Sequence, residues 1–186
     1  MTERIIIAGS GGQGVMLLGK VLAESAMREA RHVTWLPSYG AEVRGGTANC
    51  MVVISDEEIG SPFVQYADSM IVLNDESLRR FGGRLKSRGL LVLNSSLAQS
   101  APPAKIKNLE SRPFSAIALE LGTVKVANIV ALGCFVAAGG IVGKGSVEGV
   151  IKGKAGEVST DIITLNLKAL SKGFGLAGGS RAKGGR

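Results

Sequence analysis

Apolar residues along this chain of 186 come in two rhythms, short continuous runs and longer stretches at helical spacing. Ile5 to Ala8 is a short β-branched run, the pattern of a strand buried on both faces. It stops at a cluster of glycines. From Val15 the apolar residues Val15, Leu18, Val21 and Leu22 recur at helical spacing, predicting a helix over about 14–30. Lys20, Glu24 and Arg28 share its opposite, solvent face. Further apolar runs predict strands at 33–36, 47–55, 69–73 and 90–94, with a weaker one near 106–109. Residues 56–60 can turn and add a short hairpin partner before Ser61-Pro62 breaks it. A helix is expected over 76–87, capped by Asn74 or Asp75 and ended by Gly89. From Lys125 to Ala138 nearly every position is apolar, which is too long for a strand and predicts a helix buried on most sides. Gly139-Gly140 ends it, Ser146 caps a short helix to Lys152, and an amphipathic helix fills 158–173. Strands alternating with helices across short turns predict one α/β domain with a three-layer, Rossmann-like, mostly parallel sheet and helices on both faces. That domain is expected to span 1–176, and 177–186 to be a disordered basic, glycine-rich tail.

Composition narrows the picture. Hydrophobic residues make up 45%, aromatics only 4%, and there are 27 glycines, as suits a core of small branched side chains. No run approaches about 18 uncharged apolar residues, so no transmembrane helix is expected. The first strand starts too early to leave room for a signal peptide, which points to the cytoplasm. Cys50 and Cys134 fit two buried thiols in a reducing compartment better than a disulfide. Two cysteines and a single histidine cannot build an iron–sulfur cluster from this chain alone. His32, at a strand start, reads as a surface or capping residue. The net charge of +7 raises nucleic acid as a partner, but Arg181, Lys183 and Arg186 lie in the tail and no aromatics interleave with the basic residues. An anionic ligand or acidic partners explain the charge equally well.

Candidate chemistry gathers in two glycine-bearing stretches. Gly9, Gly11 and Gly14 spell G-x-G-x-x-G between the first strand and first helix, where bare N–H groups at a helix N-terminus face any anion placed there. An NAD site would want an acid at the end of the second strand, and Leu36-Pro37-Ser38 supplies none. Gly14 to Lys20 also matches G-x-x-x-x-G-K, but Val21 replaces the metal-binding Ser or Thr and Lys20 sits within the helix. The glycines could equally serve close packing of strand and helix. The second stretch is Pro37-Ser38-Tyr39-Gly40-Ala41-Glu42-Val43-Arg44-Gly45-Gly46, expected to lie beside the glycine turn at the carboxyl ends of the strands. Arg44 between glycines is a candidate anion clamp, or else an ion-pair partner of Glu42 or of another chain. Asn128, in the buried late helix, needs a hydrogen-bond partner, and either pins a loop or touches a ligand.

Together these stretches resemble the gamma subunit of the 2-oxoacid:ferredoxin oxidoreductases. Residues 7–14 look like the family's G-x-G-G-Q-G turn, and residues 37–46 like its more specific P-S-Y-G-x-E-x-R-G-G loop. Ser55, Ile59, Ser61-Pro62 and Asp68 match the following segment, and Asn128 to Gly133 the late helix. The second loop is nearer the 2-oxoglutarate and branched-chain (2-ketoisovalerate) enzymes than the indolepyruvate ones. The resemblance implies a chain inactive alone, working with alpha and beta subunits that bind thiamine diphosphate. A ferredoxin-like delta subunit would carry iron–sulfur clusters and ferredoxin would accept the electrons. It implies CoA-dependent oxidative decarboxylation of a 2-oxoacid to acyl-CoA and CO2, with 2-oxoglutarate favoured. On this reading no residue here is catalytic and none binds metal. Gly9, Gly11, Gly12, Gln13 and Gly14 would contact coenzyme A phosphates, and Tyr39, Glu42 and Arg44 would face the active site of the other chains. Neither nucleic acid nor membrane is an expected partner. The rival expectations are a purely structural assembly subunit and a stand-alone nucleotide-binding module.

Overall fold

A computed structural model describes residues 1–38, 47–103 and 106–178. The apolar run after Thr2 forms β1 (Thr2–Ser10) at the middle of a six-stranded sheet, in the order β2-β3-β1-β4-β5-β6. The remaining strands are β2 (His32–Ser38), β3 (Thr47–Ser55), β4 (Ala67–Val72), β5 (Leu85–Asn94) and β6 (Asn108–Arg112). β3 alone runs against the others, pairing antiparallel with both β1 and β2, while β4, β5 and β6 continue parallel to β1. Ile5, Ile6, Ile7 and Ala8 are fully buried, as a strand covered on both faces requires.

The two faces are covered unequally. Ile5, Ile7, Cys50, Val52, Ile71 and Val92 point into a large core shared with α1 (Val15–Arg28), α3 (Phe114–Glu120), α4 (Ala127–Gly139), α5 (Lys144–Lys152) and α6 (Thr160–Phe174). On the opposite face Ile6, Ala8, Met51, Met70, Val72 and Leu91 pack against Leu78 and Phe81 of the single helix α2 (Asp75–Phe81), with Val64 and Ala98 from loops. α4 is the buried helix the sequence predicts, and Gly140, at φ 61°, ends it in the left-handed region. Among the described residues no helix is long and apolar enough to cross a membrane.

Several elements differ from the sequence expectation. The helix expected over 76–87 stops at Phe81, because Gly82 and Gly83 open into a 3-10 turn and Leu85 already begins β5. Gly89 is therefore inside a strand. Leu85 pairs with Ala67 and Leu90 with Ser69, so 86–89 bulge out of the ladder, and a side chain at Gly89 would strike Leu85 and the Asp68 carbonyl. No strand forms at 56–60. β6 lies a little later than the weak run suggested, and the seven-residue α3 after it was not anticipated. The short helix α5 starts at Lys144, before Ser146, and its flanking Gly143 N–H donates to Glu29 Oε1 at 2.7 Å.

Candidate functional site

The glycine turn sits where β1 leaves the sheet for α1, at the carboxyl ends of the parallel strands. It is closed from inside by Gln13. The Ser10 N–H donates to Gln13 Oε1 at 2.6 Å, and the Gln13 N–H returns to the Ser10 carbonyl at 3.2 Å. Asn74, at the end of β4, donates through Nδ2 to Ser10 Oγ at 2.5 Å and to Gln13 Oε1 at 3.3 Å. Its Oδ1 accepts from the Ser77 N–H at 2.9 Å, capping α2. One asparagine thus ties together β4, α2 and the turn.

The glycines do different work. A Cβ at Gly9 would meet Gln13 Oε1 at 2.7 Å and Leu73 Cβ at 3.1 Å, so Gly9 serves close packing. Gly14 adopts φ +72° and stands against Asn128, whose Nδ2 a Cβ there would meet at 2.3 Å. Gly12 also needs the left-handed region, at φ +87°, but nothing lies within 4 Å of where its side chain would be. Gly11 and Gly12 are exposed, so the outward part of the turn is open. The packing explanation holds for Gly9 and Gly14 and fails for Gly12.

Asn128, 2% exposed near the start of α4, donates through Nδ2 to the Gly14 carbonyl at 3.2 Å and accepts at Oδ1 from the Ile129 N–H. It pins the turn to the late helix. Beside that contact lies a cavity of about 120 Å³, walled by Gly12 and Gln13 of the turn, Leu73 and Asn94 at the ends of β4 and β5, and Ala127 and Asn128 of α4. Leu97, Ser115, Val124 and Lys125 complete it. Asn94 is 1% exposed and holds the floor, donating to the Leu73 carbonyl at 3.2 Å and to Ser115 Oγ at 2.9 Å.

Tyr39, Glu42 and Arg44 fall outside the described residues. The described residues on either side are placed: Ser38 pairs with Asn49, and Thr47 with Ser10, so Ser38 and Thr47 lie at the same end of the sheet as the glycine turn. Lys20 lies in α1 and pairs with Glu24 at 3.8 Å, one helical turn on. Cys50 and Cys134 are free and buried, and burial pushes both thiols up to about 12. Among the described residues no group of three or more His, Cys, Asp or Glu gathers. Asn94, Ser115 and Lys125 are wall residues, and Asn74 braces the turn; the sequence reading assigned none of the four to the site. A polar Asn closing each of two buried strands, Leu73-Asn74 and Leu93-Asn94, was the available signal.

The fold defines an α/β protein with an open glycine turn and a small cavity at the strand ends. The family described as "Pyruvate ferredoxin/flavodoxin oxidoreductase" matches residues 4–176, and the chain belongs to that family. It is 38% identical over 176 residues to ketoisovalerate oxidoreductase subunit VorA of Methanothermobacter marburgensis, covering 91% of this chain but 35% of that protein. The chain thus spans about a third of that relative's length. It is 33% identical to 2-oxoglutarate synthase subunit KorC of Archaeoglobus fulgidus, covering 91% of this chain and 85% of that one. A crystal structure of the keto/oxoacid ferredoxin oxidoreductase gamma subunit from Geobacter sulfurreducens superposes with a TM-score of 0.81 at 32% identity, covering 94% of this chain and 98% of that one. The 2-oxoglutarate:ferredoxin oxidoreductase from Magnetococcus marinus shares the fold, with a TM-score of 0.84 at 24% identity, over 95% of this chain and 31% of that one.

Proposed function

We propose that this chain is the gamma subunit of a cytoplasmic 2-oxoacid:ferredoxin oxidoreductase, assembled with alpha, beta and ferredoxin-like delta subunits. The complex converts a 2-oxoacid, with 2-oxoglutarate favoured, to acyl-CoA and CO2, and passes the electrons to ferredoxin. Thiamine diphosphate and the iron–sulfur clusters belong to the other subunits. This chain's part is to bind coenzyme A phosphate at Gly11, Gly12, Gln13 and Gly14, with Tyr39, Glu42 and Arg44 facing the active site of its partners. Gly9 shapes the turn from beneath.

The observation that carries the reading is Gly12: left-handed, exposed and with open space where a side chain would stand. Gly122, Gly140 and Gly156 share the left-handed φ and the open space, but only Gly12 among them lines the cavity at the strand ends. Positioning of coenzyme A, rather than a chemical step, is the contribution expected of such a turn. In the assembled complex Arg44→Ala raises the CoA KM while 2-oxoacid decarboxylation persists. If CoA dependence is untouched and the complex falls apart instead, the loop is an assembly element and the reading fails.

A further inference from the structure

We infer that the α2 face of the sheet carries a protein-docking surface, a row of rings and guanidinium groups centred on Phe63 and Arg84. Its occupant is a partner subunit of the assembled enzyme that presents an apolar socket rimmed by carboxylates. The inference rests on the subunit reading for who the partner is, and on the chemistry of this face for where it docks.

Exposed aromatic surface is the first sign. The chain is only 4% aromatic, yet Phe63 and Tyr66, on one connection between β3 and β4, are 59% and 56% exposed. The backbone under Phe63 is held firmly. Its own N–H donates to Ser61 Oγ at 3.2 Å, the Val64 N–H donates to Met51 Sδ at 3.2 Å, and Pro62 restricts φ just before it. Arg84 donates through Nε to the Gln65 carbonyl at 3.0 Å and through Nη2 to the Val64 carbonyl. Val64 is buried in the α2-side core, so the segment is clamped while the Phe63 ring stays in solvent. An apolar ring on a clamped backbone loses little further freedom on association, which favours it as an anchor.

The surroundings of Phe63 have the make-up of an interface centre. The Arg84 guanidinium lies over the Phe63 ring at 5.7 Å and over the Phe81 ring at 5.9 Å, and that of Arg80 lies over Phe81 at 5.6 Å. Leu36 pairs with Met51 in the β2–β3 ladder, so it shares this face, and it is exposed. Arginine and aromatic residues are the types that dominate binding energy at protein interfaces. The rim calls for acids, because Arg84 bonds to carbonyls and makes no ion pair among the described residues.

Two further observations favour a partner subunit as the occupant. Arg80 Nη1 donates to Thr47 Oγ1 at 2.5 Å, which joins the row to the residue following the 39–46 stretch, the stretch proposed to face the partners' active site. The fold also makes up 35% of the VorA relative and 31% of the Magnetococcus marinus chain, so in both it is one part of a longer polypeptide.

The test is the affinity of the full chain for the other subunits of its complex, measured by sedimentation velocity. Phe63→Ala is expected to weaken it about thirtyfold, with the melting temperature of the chain unchanged, since the clamping hydrogen bonds use no atom of that ring. Arg80→Gln is expected to weaken it about fivefold and to reduce its salt dependence, while Lys168→Ala on α6 leaves it unchanged. Wild type and Phe63→Ala binding equally well overturns the docking surface and leaves the subunit reading standing. A chain that dimerises alone, and loses the dimer on Phe63→Ala, gives this face to a second copy and also overturns it. A chain that binds none of those subunits brings down the subunit reading together with the docking surface.

Discussion

Glycine is used in two opposite ways at the β1–α1 turn and at the crossing of α4 and α6. At the crossing, a Cβ on Gly173 would lie 1.9 Å from the Val130 carbonyl oxygen, and one on Gly133 would lie 2.2 Å from the Leu170 carbonyl oxygen. Two backbones touch there, and the missing side chains are what let them. At Gly12 the missing side chain leaves open space, and what the residue supplies is a left-handed φ that exposes the turn. The lesson is that a glycine-rich motif is a site only where its glycines face outward. Gly9 and Gly14, within the same motif, behave like the helix crossing.

The contrast breaks most visibly at Gly173. Gly173→Ala must push α6 off α4 or distort both helices, and a loss above about 3 kcal/mol is expected in denaturant titration, the scale of an overpacked core. Gly14→Ala combines a strained φ with a clash on Asn128 and is expected to cost about 2–3 kcal/mol. Asn74→Ala removes the α2 cap and the tie to Ser10 and Gln13, with about 1–2 kcal/mol expected in the same titration. Gly12→Ala meets no atom, so only backbone strain of about 1 kcal/mol is expected, with a raised CoA KM as its principal effect. A Gly12→Ala chain as unstable as Gly173→Ala would erase the distinction.

Much of this was legible beforehand because local pattern and burial agreed. The all-apolar run at Ile5 to Ala8 could only be a strand covered on both faces, and the 47–55 strand has the bounds its apolar residues suggest. α4 followed from apolar residues filling more positions than a strand can hold. The asparagine in it had to find a partner, and the Gly14 carbonyl is that partner. Reading failed where tertiary pairing overrode local pattern. Residues 85–87 resemble the end of a helix by propensity, but pairing of Leu85 with Ala67 makes them strand and bulge. The cavity was invisible for a related reason. Gln13, Asn94, Ser115 and Lys125 are far apart in sequence, and only the closing of α3 and α4 over the ends of β4 and β5 brings them together. The direction of each hydrogen bond has no sequence signature.

The central claim is that the open turn and the start of α4 hold a negatively charged group of coenzyme A. Amide hydrogen exchange of the assembled complex, with and without coenzyme A, tests it most directly. Slowed exchange concentrated at residues 10–15 and 125–129 is the predicted result. Coenzyme A that binds and turns over while both segments exchange unchanged would contradict it.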